Sequence, residues 1–225
     1  MAREMTFAAR PRISLHFAQT LDGRIALCGL RTPLSSRAGF ALAHRARAEN
    51  DAVLVGRATV QVDDPQLAVP TAGARQPRRV VLASALEISP DARVLRGGPG
   101  TLVIGVEGRP SAQARERLVA AGAEVRLVAA GSDGLVSLPE ALAVIHEWGV
   151  ERLLVEGGAC VLSSFLRHRL ADEATIEIVP RWLGGGALAA IGEIGVTTLE
   201  HAVALEDARV ERAEASIVVR GRLAY

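Results

Sequence analysis

Apolar and polar side chains alternate along residues 13–19, Ile-Ser-Leu-His-Phe-Ala-Gln, and this period of two predicts a strand. A turn at Leu21-Asp22-Gly23-Arg24 leads into Ile25-Ala26-Leu27. After Ser35-Ser36, which can cap a helix, the period lengthens. Phe40, Ala43, Ala46 and Arg47 recur at helical spacing, predicting a helix to about Glu49. Asp51–Gly56 carries the apolar run Ala52–Val55 and ends in glycine, a second buried strand. A short helix over Arg57–Val62 is stopped by Asp63-Asp64-Pro65, because the residue before a proline is pushed out of the helical region. A loop rich in Gly, Ala, Pro and Arg then runs to Arg78.

From there the rhythm is regular. Strands are predicted at 79–83, 101–105 and 124–128, and helices at 111–121 and 138–148, ended by Gly122 and Gly149. Short apolar strands alternating with helices predict a parallel sheet covered on both faces. After Asp172 the pattern changes to strands at 174–179 and 216–220 with little helix between them. The expected fold class is α/β, with a mixed, mostly parallel sheet that finishes in antiparallel strands. No internal repeat and no linker divides the chain, so a single domain over 12–225 is expected, with 1–11 as a loose polar N-terminus.

The stretch 151–166, ERLLVEGGACVLSSFL, organises the rest. Leu153-Leu154-Val155 reads as a buried strand closed by a lone acid, Glu156. Gly157-Gly158 follows, and Val161, Leu162, Phe165 and Leu166 then give a helical pattern. A strand, two glycines and a helix start bring free backbone N–H groups and the positive end of a helix dipole to one point, which suits a phosphate. The alternative is that the two glycines are simply a tight strand-to-helix turn.

Composition narrows the chemistry. Apolar residues make up 49% and aromatics only 3%, so the core must be built from Ala, Val, Leu and Ile. The net charge of +1 gives no electrostatic case for nucleic acid or an anionic membrane. There is no lysine, which excludes a Schiff-base lysine and a Walker-type phosphate lysine. Cys28 and Cys160 fit no metal or redox spacing and read as reduced and structural; no metal is expected. With no signal peptide and no apolar run long enough to span a bilayer, a cytoplasmic protein is expected.

Three segments go beyond generic α/β: Ala18–Ala26 (AQTLDGRIA), His44–Ala48 leading through Asp51–Leu67 (DAVLVGRATVQVDDPQL), and Leu154–Ala159 (LVEGGA). In this order and spacing they resemble the reductase domain of riboflavin biosynthesis, the C-terminal half of bifunctional RibD proteins, from about Arg12 to the C-terminus. The resemblance implies a three-layer, dihydrofolate-reductase-like fold with NADPH bound across the carboxyl ends of the strands. It implies reduction of a ribosylamino-pyrimidine phosphate, either 5-amino-6-(5-phosphoribosylamino)uracil or its 2,5-diamino analogue, by hydride delivery to the sugar C1. The zinc signature of the deaminase half is absent, so a stand-alone reductase is expected. The resemblance also implies a homodimer formed through the C-terminal strands.

Carried over position by position, the resemblance implies cofactor contacts at Thr59, Asp63 and Ser84 and at the loop Gly157, Gly158, Ala159, Cys160, Val161, Leu162. On the substrate side it implies Arg47, Leu67 and Glu156. Arg24 matches a basic residue near cofactor and sugar. A guanidinium at Arg47 would clamp a phosphate in a bidentate fork. Carboxylates at Asp63 and Glu156, the catalytic candidates with Arg24, would orient hydroxyls or stabilise an iminium at C1. Each also has a plain structural alternative: Arg47 solvated on its helix, Asp63 only stopping a helix, Glu156 paired with a neighbouring arginine. NADPH is expected over NADH, since no acid closes a GxGxxG unit and Ser84 can meet a 2′-phosphate.

Two departures fall on the substrate side. Where the family carries a Ser-x-Trp-Ile-like motif, this chain reads Arg31-Thr32-Pro33-Leu34, and a basic residue after Asp-Pro-x-Leu is replaced by Pro70. Arg31 is the candidate to replace the missing charge. The departures keep two alternatives open: a reductase of the same fold acting on another small substrate, and a nucleotide-binding subunit without catalysis.

Overall fold

The computed structural model describes residues 10–225. The expected loose segment 1–11 therefore lies outside the described residues up to position 9. Arg10 is tethered, its guanidinium meeting Asp172 at 2.7 and 2.8 Å, and Pro11 is buried.

In chain order the elements are β1 (Arg12–Thr20), β2 (Arg24–Ala26), α1 (Arg37–Glu49), β3 (Ala52–Gly56), α2 (Arg57–Asp63), β4 (Arg78–Leu82), β5 (Thr101–Val106), α3 (Ala112–Ala120), β6 (Glu124–Val128), α4 (Leu138–Glu147), β7 (Arg152–Gly157), α5 (Ala159–Arg167), β8 (Glu173–Val179), β9 (Leu188–Ala189), β10 (Ala204–Ala213) and β11 (Ser216–Ala224). Nine strands form one sheet in the order β10-β11-β8-β1-β7-β3-β4-β5-β6. The seven from β8 to β6 pair in parallel, while β11 runs antiparallel to β8 and β10 antiparallel to β11.

The strand sequences explain the two cores. On β7, Leu153 and Val155 point to one face and Leu154 to the other, all buried, which is why the run is continuous rather than alternating. The first face packs Leu142 and Ile145 of α4 and Leu162 and Phe165 of α5. The second packs Val60 of α2, Leu118 of α3 and, at its margin, Ala46 of α1. Helices on both faces of the sheet make the three layers. Each fully buried Leu or Ile contributes about 1.5–3 kcal/mol relative to exposure.

The serine cap expected at Ser35-Ser36 falls on Ser36, and Ser111 caps the helix expected from 111. Ser36 Oγ accepts from Gly39 N at the start of α1, and Ser111 Oγ accepts from Ala114 N at the start of α3. The buried carboxylate of Glu177 on β8 also accepts from the amide and hydroxyl of Ser36. A Cβ at Gly39 would lie 1.9 Å from that carboxylate, so glycine is what lets α1 approach β8 so closely. Two expectations fall short. Strand β10 (ALEDARVERA) lies where no element is expected; it is exposed almost throughout and held by pairing with β11. The pair β2–β9 was likewise not legible. No helix among the described residues is long and apolar enough to cross a membrane.

Candidate active site

The carboxyl ends of the parallel strands share one edge, and a cavity of about 1000 Å³ opens there. It lies where the winding order reverses: the chain leaves β1 towards β3 and β4, then returns to insert β7 between β1 and β3.

Two walls matter. The first is built by the strand-to-helix turns. Helix α5 starts at Gly158 with no side-chain cap, and the Gly157–Gly158 peptide is cis. The Gly158 amide donates to Thr59 Oγ1 at 3.1 Å, joining this turn to α2. The amides of Ala159, Cys160 and Val161, in the first turn of α5, find no acceptor among the described residues. Thr59, Asp63 and Ser84 line the cavity together with Gly158 to Leu162, so this predicted set is brought together. Gly157 is buried at the end of β7 and does not line it. Burial raises the Asp63 carboxyl above its ordinary value, against the pull of the Arg31 guanidinium.

The second wall carries Arg47 on α1 and Glu156 on β7. Nε and Nη2 of Arg47 both donate to the Glu156 carboxylate at 2.7 Å, and Nη1 donates to the Ala68 carbonyl at 3.1 Å. The two side chains are only 17% and 13% exposed. The planar fork expected to clamp a substrate phosphate is thus occupied by Glu156. Of the alternatives read from the sequence, the pairing of Glu156 with a neighbouring arginine is the one the fold builds, and Arg47 is not solvated. The pair still faces the cavity and offers both its remaining N–H groups and its carboxylate lone pairs.

Three predicted residues lie elsewhere. Arg24 does not line the cavity; its guanidinium reaches the Ala187 carbonyl at 3.5 Å and Asp22 at 4.0 Å. Leu67 is buried in the core under α2 with φ of 53°, where it fills the turn after Pro65 rather than the pocket. Arg31 is exposed and acts on the site through its charge on Asp63. The cysteines are unpaired, as expected, but differ from the structural role expected of them. Both are exposed, and Cys160 lines the cavity.

The sequence reading missed His16 as a site residue. It sits on β1 facing the cavity near the Arg47–Glu156 pair and is only 7% exposed. Its signal was present in the alternation of β1, where Ile13, Leu15 and Phe17 mark the other face, but only the fold shows that α1 covers the His16 side.

Comparison with known proteins agrees with this geometry. A family model described as the RibD C-terminal domain matches residues 11–219. The riboflavin biosynthesis protein RibD of Aquifex aeolicus (strain VF5) is 35% identical over 215 residues, covering 93% of this chain but 57% of that protein. The chain therefore spans little more than half the length of that relative. The 2,5-diamino-6-ribosylamino-4(3H)-pyrimidinone 5′-phosphate reductase of Methanothermobacter thermautotrophicus is 34% identical over 201 residues, 88% of this chain and 91% of that one. Among solved structures, RibD of Acinetobacter baumannii superposes with a TM-score of 0.83 at 24% identity, over 96% of this chain and 59% of that chain, a likeness of fold.

Proposed function

We propose, because this chain belongs to the RibD C-terminal domain family, that it is the reductase of riboflavin biosynthesis acting on a ribosylamino-pyrimidine 5′-phosphate. It acts as a single domain and as a homodimer, with NADPH as the hydride donor to C1 of the sugar. The name of the Methanothermobacter relative supports the substrate class, and that relative is covered almost end to end. The observation that carries the reading is the meeting, in one cavity, of an uncapped helix start with a buried but cavity-facing ion pair.

The residues present fit a dinucleotide. The free amides of Ala159, Cys160 and Val161, at the positive end of α5, form an anion cradle, and Gly158 leaves the approach open. Thr59 fixes the Gly158 amide and so the start of the helix. Ser84, just past β4 and on the cavity wall, offers a hydroxyl to a 2′-phosphate. Bound there, NADPH supplies the hydride; the protein supplies alignment and charge. Glu156, held in place by Arg47, orients sugar hydroxyls or stabilises positive charge at C1. Asp63, whose carboxyl burial raises above its ordinary value, is a second acid lining the same cavity.

A second reading is favoured by the Thr32-Pro33-Leu34 segment, which lines the cavity with a hydroxyl and two apolar residues. Under it the same hydride chemistry serves a less polar substrate. The test is loss of NADPH absorbance with the diamino- and deaminated pyrimidine phosphates, followed by complementation of a riboflavin auxotroph lacking this reductase. NADPH consumption without complementation selects the second reading. No consumption with any substrate, together with retained NADPH binding, selects a nucleotide-binding subunit.

A further inference from the structure

His16 is the buried titratable group for which the proposed chemistry has so far given no role. Leu15 pairs with Val155 in the parallel register of β1 and β7, so the next position sets His16 beside Glu156. On its other side β1 pairs with β8, where His16 is opposite Thr175. Among the described residues the imidazole makes no hydrogen bond. Yet neither ring nitrogen is among the polar atoms that are sealed from solvent without a partner, so the ring opens into the cavity it lines.

A polar side chain that is nine-tenths buried and unpaired is costly unless something supplies its hydrogen bond. Arg47 has its fork on Glu156, and neither member of the pair makes a hydrogen bond to His16. We propose that His16 is a substrate-contacting residue, its imidazole hydrogen-bonding the polar substrate beside the Arg47–Glu156 pair. The inference rests on the reductase reading and adds to it a residue on the substrate side, away from the helix start that holds the cofactor.

The charged groups facing His16 come from four elements. Glu156 on β7 and Glu177 on β8 favour its protonation, while Arg47 on α1 and Arg220 on β11 oppose it. His44 lies on α1 near the same ion pair. Burial outweighs the rest and lowers the imidazole below its ordinary value. The ring is therefore neutral at physiological pH, with one N–H to donate and one nitrogen to accept. Acid converts it to a donor only, beside Arg47, and takes the acceptor away.

The test compares His16→Ala, His16→Asn and the unmodified enzyme in steady-state assays with the ribosylamino-pyrimidine phosphate. His16→Ala should raise KM for the pyrimidine about tenfold and leave KM for NADPH unchanged. His16→Asn, which keeps a donor and an acceptor, should recover most of that loss. The acid limb of kcat/KM, lying below the ordinary imidazole range, should disappear in His16→Asn. In the unmodified protein, the His16 ring resonance should shift on addition of the pyrimidine phosphate and stay put on addition of NADPH alone. If the enzyme turns over but both variants keep its KM and its acid limb, the inference is overturned and the reductase reading stands. If the unmodified enzyme does not turn over, the reading fails. The resonance then decides, since an unmoved His16 signal overturns the contact as well.

Discussion

The Thr59 hydroxyl accepts a hydrogen bond from the Gly158 amide, a residue 99 positions away, and so ties α2 to the first turn of α5. Removing it with the near-isosteric Thr59→Val should cost about 1 kcal/mol and weaken NADPH roughly fivefold. A Cβ at Gly158 would meet Thr59 Oγ1 at 3.1 Å and stand in the path of a phosphate. Gly158→Val should therefore lose far more NADPH affinity than stability. A folded Gly158→Val protein with a normal NADPH fluorescence titration would remove the anion cradle from the account.

Arg47→Lys should be damaging whatever the substrate carries. An ammonium cannot hold both oxygens of Glu156 and the Ala68 carbonyl together, and about 1.5–3 kcal/mol of charge-assisted contact is at stake. The expected loss in kcat/KM is about one to two powers of ten. It should be equal for phosphorylated and dephosphorylated substrate, because the fork serves Glu156. A loss confined to the phosphorylated form would return Arg47 to the role of phosphate clamp.

Asp63→Asn should separate stability from activity. Burial raises the Asp63 carboxyl, so its charged form is the one the fold disfavours. The stability that goes with the raised value is full below the unfolded value near pH 3.9 and is lost as pH rises through the native one. At neutral pH the amide should therefore make the protein more stable, an advantage that vanishes in acid, while turnover falls. Urea melts at pH 7 and pH 4 read the sign directly. An Asp63→Asn protein less stable at pH 7 would contradict the burial argument.

Asp172 has the opposite sign. Burial opposes its charge, but the Arg10 guanidinium and the Ile13 amide outweigh that and hold it below the usual range. Its stabilisation is present above the unfolded value and is lost as pH falls through the native one. Asp172→Asn should cost about 1–3 kcal/mol at pH 7 and progressively less in acid. Denaturant midpoints at the two pH values measure it.

Strand β10 closes the sheet at one edge with Val210 67% exposed, and a bare edge of this kind calls for a cover. With a second copy as that cover, light scattering at micromolar concentration should give about twice 23.7 kDa. Val210→Asp should return the monomer mass. A monomer mass for the unmodified chain would end the proposal.

The parts of the fold legible in the sequence were those set by local rules. Val53 to Val55 and Leu153 to Val155 announce buried parallel strands because both their faces are covered. Ser36 and Ser111 announce helix starts because a hydroxyl satisfies a free amide there. Strand β10 was silent because exposure on both faces removes the alternation that marks a strand. In the site, the two glycines could be read, but the Thr59 to Gly158 bond joins distant segments that nothing local connects. Leu67 matched a pocket residue by position, and its positive φ turns the side chain into the core instead. Glu156 and Arg47 were each visible as chemistry. That each is the other's partner is decided by the register of α1 over β7, which no local pattern encodes.

Strand β1 enters the middle of the sheet, yet both its neighbours, β7 and β8, come late in the chain. The Ile13 amide reaches its acceptor on Asp172 only 159 positions later. A chain lengthening from its N-terminus thus carries an apolar strand with two open edges through most of its synthesis, while β3 to β6 can pair as they emerge. Closing so long a loop slows folding and leaves aggregation-prone edges waiting. The heart of the sheet is thus completed only after the β3–β6 half beside it.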